Sequence, residues 1–450
     1  MFTPPANWNK LSPVERREAR FATWMAVEDK QLATPEAQKA YRERTQLIKD
    51  VVELKTPARV PMLPFIGSYF AAYGGITAHD VMYDFAKYAQ AWTKFNEDFR
   101  PDYLVFSGAF NPGRMFDALD YKVYRWPGHG IGEKAQFQTV EAEYMRADEY
   151  DLYTADPEAF YMKTYMPRAF AGLAGWSMIP NLFMSMELPM APALMVPIGL
   201  PPVKEAFKNF LKAGEAALEW AGAAGQTDGA LRARFGMPAL PGGFTKAPFD
   251  ILGDTMRGTR GIMLDLLRQP KKVLAAVERT VPVAVQMGVQ SATTQDNPFV
   301  FIPLHKGADG FMSDADFKKF YWPTWKATLL GLINEGLVPF HLVEGGYNTR
   351  LDAIADPDIP RGSTYWSFDQ TDMATAKKKL GGWAAIAGNV PASLLHAGTP
   401  AQVEDYVKRL IDTVAPGGGY ALSIGAVLDH AHPETLHAFF DTGRTYGVYR

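Results

Sequence analysis

The sequence predicts an α/β fold: a (β/α)8 TIM-like barrel with an N-terminal helical cap and a large middle insertion. Three observations predict it. Short apolar runs recur with little polar alternation. The later runs are separated by amphipathic segments that close on glycine. No GxGxxG fingerprint follows the first run. Strands that are apolar throughout are buried on both faces, as in a parallel sheet covered by helices. The missing dinucleotide fingerprint favours a barrel over an open doubly wound sheet.

Residues 1–57 read as a helical extension packed on the main domain. SPVERREARFATWMAV places Ser12 as an N-cap with Pro13 at the first helical position, and PEAQKAYRERTQLIKDVVELK continues in the same style. The barrel is read over 58–450. Its strand candidates are 60–67, 102–110, 122–126, 299–305, 337–345, 364–369, 383–391 and 419–427. Helical segments at 313–336, 373–381 and 399–417 separate the later ones, the first opening on Ser313 and ending at Gly336. Gly417–Gly419 precedes a strand and so reads as a turn on the stability face. The stretch of about 130–298 fits the repeat poorly and is read as an insertion beside the catalytic face. It holds the helical VKEAFKNFLKAGEAALEWAG (203–222), the Met/Pro-rich PMAPALMVPIGLPP (189–202) and the loop FGMPALPGGFTKAPFDILGD (235–254).

Composition narrows the chemistry. The 450 residues carry a formal charge of -3 and no cysteine. Thiolate nucleophiles, disulfides, Cys-ligated zinc and iron–sulfur clusters are therefore excluded. A near-neutral chain is not expected to take nucleic acid or an anionic membrane as its main partner. The longest Met/Pro-rich apolar run is too short and too proline-broken to span a bilayer. The N-terminus turns charged at once, without a signal-type apolar core, so a cytoplasmic location is expected. A homodimer is the default assembly. There is no GxSxG, HExxH or Walker motif.

In a barrel, the C-terminal strand ends converge on one mouth. Those ends carry Ser107, His305, His341 with Glu344, Asp369, Asn389, and the group Asp429, His430, His432. Histidine changes charge near neutral pH and is a common metal ligand. His341 and residue 343 share one strand face, so His341 and Glu344 could meet at one metal only if the strand ends before Glu344. Gly345 and Gly346 permit that. Asp369 ends TYWSFD, where a general acid or base can be placed. Pro433 begins the last helix, which makes His432 a cap-region residue and leaves Asp429 and His430 for the site. The catalytic assignment is His341, Glu344, Asp369 and His305. Ser107, Arg350, Asn389, Asp429 and His430 are assigned to substrate binding, and His341 with Glu344 to a zinc or other divalent metal.

The run FHLVEGGYNTRLDAI, then WSFDQTD, then IAGNVPASLLHAGTPAQVEDYVKRLID, then APGGGYALSIGAVLDHAHPETL resembles the uroporphyrinogen decarboxylase superfamily. IPLHKGADGFMSDADFKKFYWPTWK resembles the segment before them, and DYLVFSGAF an early barrel strand. The resemblance covers 299–450 and, more weakly, 55–130. It implies a (β/α)8 barrel and two reactions: cofactor-free decarboxylation of porphyrinogens, or methyl transfer among substrates, corrinoid proteins and thiols or pterins, usually with zinc. The sequence departs from both patterns. The decarboxylases' early Arg-rich motif falls on VPMLPFIGSYFAAYGG (60–75), which has no arginine. The thiol-directed enzymes' His-x-Cys pair falls on His341 and Val343, and their later Cys near Ala426.

The resulting expectation is a methyl- or alkyl-transferase-like enzyme for a small, largely apolar organic substrate. A metal on His341 and Glu344, helped by His305 or Asp429, would act as Lewis acid, and a corrinoid would come only with a partner protein. The alternative is a cofactor-free decarboxylase. In it Asp369 or Ser107 steadies a protonated intermediate, and Arg114, Arg257 or Arg350 holds the carboxylate. A third reading is a non-catalytic binding barrel.

Overall fold

The computed structural model describes residues 2–28, 30–105 and 110–449. The chain opens with two helices, α1 (Pro13–Met25) and α2 (Pro35–Val52). Ser12 and Glu15 form a reciprocal capping box at the start of α1, and Thr34 caps α2. Phe21 and Trp24 of α1 pack edge-on against Phe299 at the foot of a central strand, which seats the cap on the sheet.

The sheet is parallel. β1 (Leu104–Val105) pairs with β2 (Ala239–Leu240). A six-stranded sheet then runs through β3 (Gly243–Phe244), β4 (Phe299–Leu304), β5 (Val338–Val343), β6 (Tyr365–Phe368), β7 (Ala385–Ala387) and β8 (Tyr420–Ala421). Parallel bridges Met62↔Leu422 and Ile66↔Leu428 set the 60–66 segment beside the last strand. The Asp102 N–H donates to the Met62 carbonyl on its other side. With β2 and β3, two residues apart, taken as one, eight segments follow one another as in a β/α barrel. The outer helices include α3 (Pro201–Phe235), α4 (Pro270–Gln295), α5 (Trp322–Asn334), α6 (Met373–Leu380), α7 (Pro400–Val414) and α8 (Pro433–Tyr446).

Inside the sheet, Phe340 stacks on Tyr365 at 4.2 Å, and Phe65 bridges Phe301 and Phe340 at 5.5 and 5.7 Å. Each such ring, fully buried, contributes about 1.5–3 kcal/mol. The triple glycine is a turn: Gly417, Gly418 and Gly419 all have positive φ. A β-carbon at Gly418 would lie 2.3 Å from the Lys55 carbonyl oxygen, so the turn also lets the cap approach closely.

Two expectations are corrected. The run at 122–126 is not a strand of the main sheet: Tyr124–Pro127 pairs with Gly130–Ile131 and Gln138–Thr139 in a separate three-stranded sheet. The sequence-based insertion of about 130–298 runs too far. It contains β2, β3 and the sheet-covering helix α4, so the added material lies between β1 and β2. Among the described residues, no helix is long and apolar enough to cross a membrane.

Candidate active site at the strand ends

The register decides which side chains reach the mouth. Ile302 pairs with His341, and His341 with Trp366; Phe301, Phe340 and Tyr365 form the neighbouring row. The Phe340 row faces the interior, so Leu342 and, one step past the strand, Glu344 face it too. His341 faces the opposite way. Its ring stacks on Trp366 at 3.7 Å and meets Trp325 of α5 edge-on at 5.3 Å. Its Nδ1 bonds the Tyr365 carbonyl at 2.8 Å, and its Nε2 is buried without a partner. Burial pushes its pKa down to about 3, against the opposing pull of that hydrogen bond. His341 is therefore a neutral packing residue between sheet and helices, not a residue of the mouth.

The mouth gathers a different set. His305, just past β4, has Nδ1 2.6 Å from Asp254 Oδ2 and Nε2 3.5 Å from Glu344 Oε2. Lys246 Nζ also bonds Asp254 Oδ2, and Lys306 Nζ lies 3.5 Å from Oδ1. Asp254 sits on a π-helical turn, Leu252–Met256, a wider winding that often marks functional positions. The fully buried Asp250 pins the chain here: it accepts the N–H groups of His305 and Lys306 at 3.1 and 2.9 Å and the Tyr321 hydroxyl at 2.7 Å. Glu344 and His305 keep 48% and 31% of their side-chain surface open although protein surrounds them on most sides, so they line a cleft.

The charges are mutually tuned. Burial favours a neutral His305, but its bond to Asp254 and that carboxylate's charge outweigh burial and hold the ring above its ordinary pKa. Burial also opposes the charge on Asp254, yet His305 and Lys246 keep it well below the carboxylate range. Burial pushes Glu344 up, with Asp254 and Asp369 adding to the rise and His305 opposing it. Burial likewise raises Asp369, whose Oδ2 accepts the Gly345 N–H at 3.0 Å. A tyrosine cluster packs behind Lys246 and Asp254. Tyr124 lies near Lys246, Tyr165 interacts with Thr255 beside Asp254, and Tyr161 and Tyr144 pack on Tyr165 at 4.4 and 6.2 Å.

Other sequence-chosen residues have structural partners. Arg350 is 2% exposed and held by the Gly307 and Met312 carbonyls and Asp314, so it braces the loop after β4 and does not face the cleft. Asn389 donates to the Asp369 and Thr371 carbonyls, both at 2.8 Å, and so braces the Asp369 loop. Asp429 accepts the N–H and hydroxyl of Ser68 at 2.9 and 3.2 Å, joining the first and last segments. His430 is exposed beside His396, their ring centroids 5.9 Å apart, away from the His305 group. Ser107 lies outside the described residues. Arg114 pairs with Glu219 at 3.0 Å, and Arg257 with the buried Asp265 at 2.6 Å.

Sequence reasoning missed Lys246, Asp250, Asp254 and Tyr321. The first three stand in GGFTKAPFDILGD, read as insertion loop because Pro241 and Pro248 break the strand pattern. Their signal was the same one used elsewhere, an apolar run ending in charged residues.

The expected metal set does not fit. His341 and Glu344 stand on opposite faces of the sheet. Among the described residues no group of three or more His, Asp and Glu is placed to hold an ion. The His305 ring lies between Asp254 and Glu344, with each nitrogen turned to one carboxylate, so these three do not converge on a point.

Residues 229–446 match the family model described as uroporphyrinogen decarboxylase. A uroporphyrinogen decarboxylase of Sodalis glossinidius is 30% identical over 119 residues, 26% of this chain and 32% of that protein. One of Cronobacter sakazakii is 24% identical over 208 residues, 44% of this chain and 57% of that protein. The matches thus span less than two thirds of these relatives. A solved methyltransferase from Methanosarcina mazei shares the fold at a TM-score of 0.58 and 12% identity, over 89% of this chain and 98% of that one.

Proposed function

The chain belongs to the uroporphyrinogen decarboxylase superfamily, and from that premise we propose that it is an enzyme of methyl- or alkyl-transferase type whose general acid is His305. The observation that carries this reading is the line Asp254–His305–Glu344, whose His305 and Glu344 side chains stay partly open to solvent. Asp254 anchors Nδ1 and keeps the ring protonated. Nε2–H is left facing the cleft beside Glu344, where it can be donated.

The substrate is a small, largely apolar molecule with an alkylated heteroatom, such as a methyl ether, held beside His305 and Glu344. In the transfer, the bond between methyl carbon and ether oxygen breaks and its electron pair stays on oxygen. Oxygen takes the Nε2 proton of His305, and the carbon takes an electron pair from the acceptor. Glu344, whose pKa burial raises, relays a proton from solvent to Nε2, so that one solvent proton is consumed per transfer. The acceptor is a nucleophile brought by a partner; a corrinoid protein is the one the superfamily implies.

Cofactor-free decarboxylation is the second reading. The curated relatives bear that name, and a protonated His305 could also protonate carbon. Against it, Arg114, Arg257 and Arg350 are all committed to other partners. The charged row Lys246–Asp254–His305–Glu344 at the strand ends counts against a purely non-catalytic barrel.

The deciding experiment offers the purified protein a panel of aryl and alkyl methyl ethers with reduced cobalamin, following methylcobalamin by absorbance. A parallel carboxylate panel is followed by CO2 release. Methyl transfer that falls about 100-fold in His305→Gln is expected, within the range for loss of a general acid. CO2 release without methyl transfer would establish the decarboxylase instead.

A further inference from the structure

The added material between β1 and β2 carries an anomaly that the reaction does not use. Of the large apolar side chains exposed on the molecule, twelve fall between residues 178 and 218. Phe183, Met186 and Leu188 are 72%, 71% and 88% exposed, and Leu211 and Leu218 on α3 are 68% and 75% exposed. Together they present on the order of 1,000 Å² of apolar surface, above the few hundred Å² usual on a monomer. That is enough for one side of a stable interface, about 800 Å² per partner.

The face on α3 has a helical period. Leu211, Gly214, Leu218, Gly222 and Gly225 follow 3–4 spacing along one side of this 35-residue helix. Among the described residues, and leaving aside the helix's own backbone, nothing lies within 4 Å of a β-carbon built at Gly214, Gly222 or Gly225. Glycine inside a helix is destabilising against alanine, and none of the described side chains fills the space beside these three. Charges flank the stripe asymmetrically. Lys204, Lys208 and Lys212 precede Gly214, and Glu215 and Glu219 follow it. Lys208 pairs with Glu205 at 3.4 Å, and Glu219 with the half-exposed Arg114 at 3.0 Å.

We propose that this face is a two-fold interface in which α3 packs antiparallel on α3 of a second copy of the chain, crossing at Gly214. Two-fold symmetry then sets Leu211 beside Leu218 of the other copy, and Lys208 and Lys212 beside its Glu219 and Glu215. The helix is complementary to itself in charge as well as in apolar area. An anionic lipid surface would meet Glu215 and Glu219 beside the stripe. Residues 201–228 precede the matched domain, so the interface belongs to the added material. It is independent of the reaction at the mouth.

The test uses the full chain. Sedimentation equilibrium should give twice the chain mass of 49.9 kDa. The double variant Leu211→Glu, Leu218→Glu should sediment as a monomer with an unchanged far-UV spectrum. The natural sequence has no cysteine, so Gly214→Cys gives one thiol per chain. Under mild oxidation it should crosslink at least tenfold faster than Gly310→Cys, which also sits in open space. A wild-type monomer would overturn the proposal, whether it stays free or cosediments with phosphatidylcholine–phosphatidylglycerol vesicles. So would Gly214→Cys crosslinking no faster than Gly310→Cys.

Discussion

His305 and His341 belong to adjacent parallel strands, and the molecule treats them in opposite ways. His305 follows β4 into the mouth and meets two carboxylates and the neighbourhood of two lysines. His341 lies within β5 with its ring between Trp366 and Trp325. The surroundings favour the charged form of the first and the neutral form of the second. Residue type is the same, so strand parity and the next shell of residues make the difference. A histidine reaches the charged cluster here by being one residue past the strand on the inward row. It becomes core by standing on the outward row.

Removing each ring separates the two roles most strongly. His305→Gln should lower the turnover for methyl transfer by about 10²–10⁴-fold, the usual worth of a general acid. Its melting temperature should move little. His341→Ala should do the reverse. A buried, stacked ring replaced by a methyl group leaves a cavity, and a loss of about 2–4 kcal/mol is expected in urea denaturation. The turnover of the folded fraction should stay near wild type. Equal activity losses in both variants would erase the distinction.

The pH dependence should also split in sign. His305 has a folded pKa above its unfolded value of 6.5. Its stabilisation is fully present below 6.5 and is lost as pH rises through the folded value. His341 has a folded pKa near 3 against 6.5. It binds its proton only in the unfolded chain, so stability is lost as pH falls from 6.5 toward 3, by about 1.4 kcal/mol per unit. His341→Phe should flatten the acid limb of a stability–pH curve, and His305→Gln the alkaline limb. Turnover should fall as pH climbs through the His305 pKa. Asp254→Asn should bring that fall to lower pH.

The smallest effect expected is at Glu344. Glu344→Gln keeps the shape and removes the ionisable group that returns the proton. A loss of about tenfold in turnover, or roughly 1.4 kcal/mol of barrier, is predicted. An unchanged rate would mean that water, not Glu344, reprotonates His305.

Much of this arrangement could be read from the sequence because strand ends mark the mouth: His305, Glu344 and Asp369 were all reachable by that rule. The error at His341 has a plain cause. In a sheet covered on both faces, VPFHLV is apolar on both rows, so its period of two says that His341 and Glu344 differ in facing but not which one points in. The Lys246–Asp254 half was illegible for another reason. β3 has two residues between Pro241 and Pro248, too few to show a pattern. Conversely, Tyr124–Pro127 looks like a main-sheet strand from its composition, and only its pairing partners place it in the added material.

The central claim, that the charged histidine is His305 and the neutral one His341, can be measured on the free enzyme. Ring-¹⁵N-labelled protein contains eight histidines, and His305→Gln and His341→Phe assign the two signals. His305 should titrate above 6.5. His341 should keep a proton on Nδ1 alone, without titrating, down to the lowest pH at which the fold survives. A His341 that titrates near neutrality, or a His305 that loses its proton below 6.5, would contradict that claim.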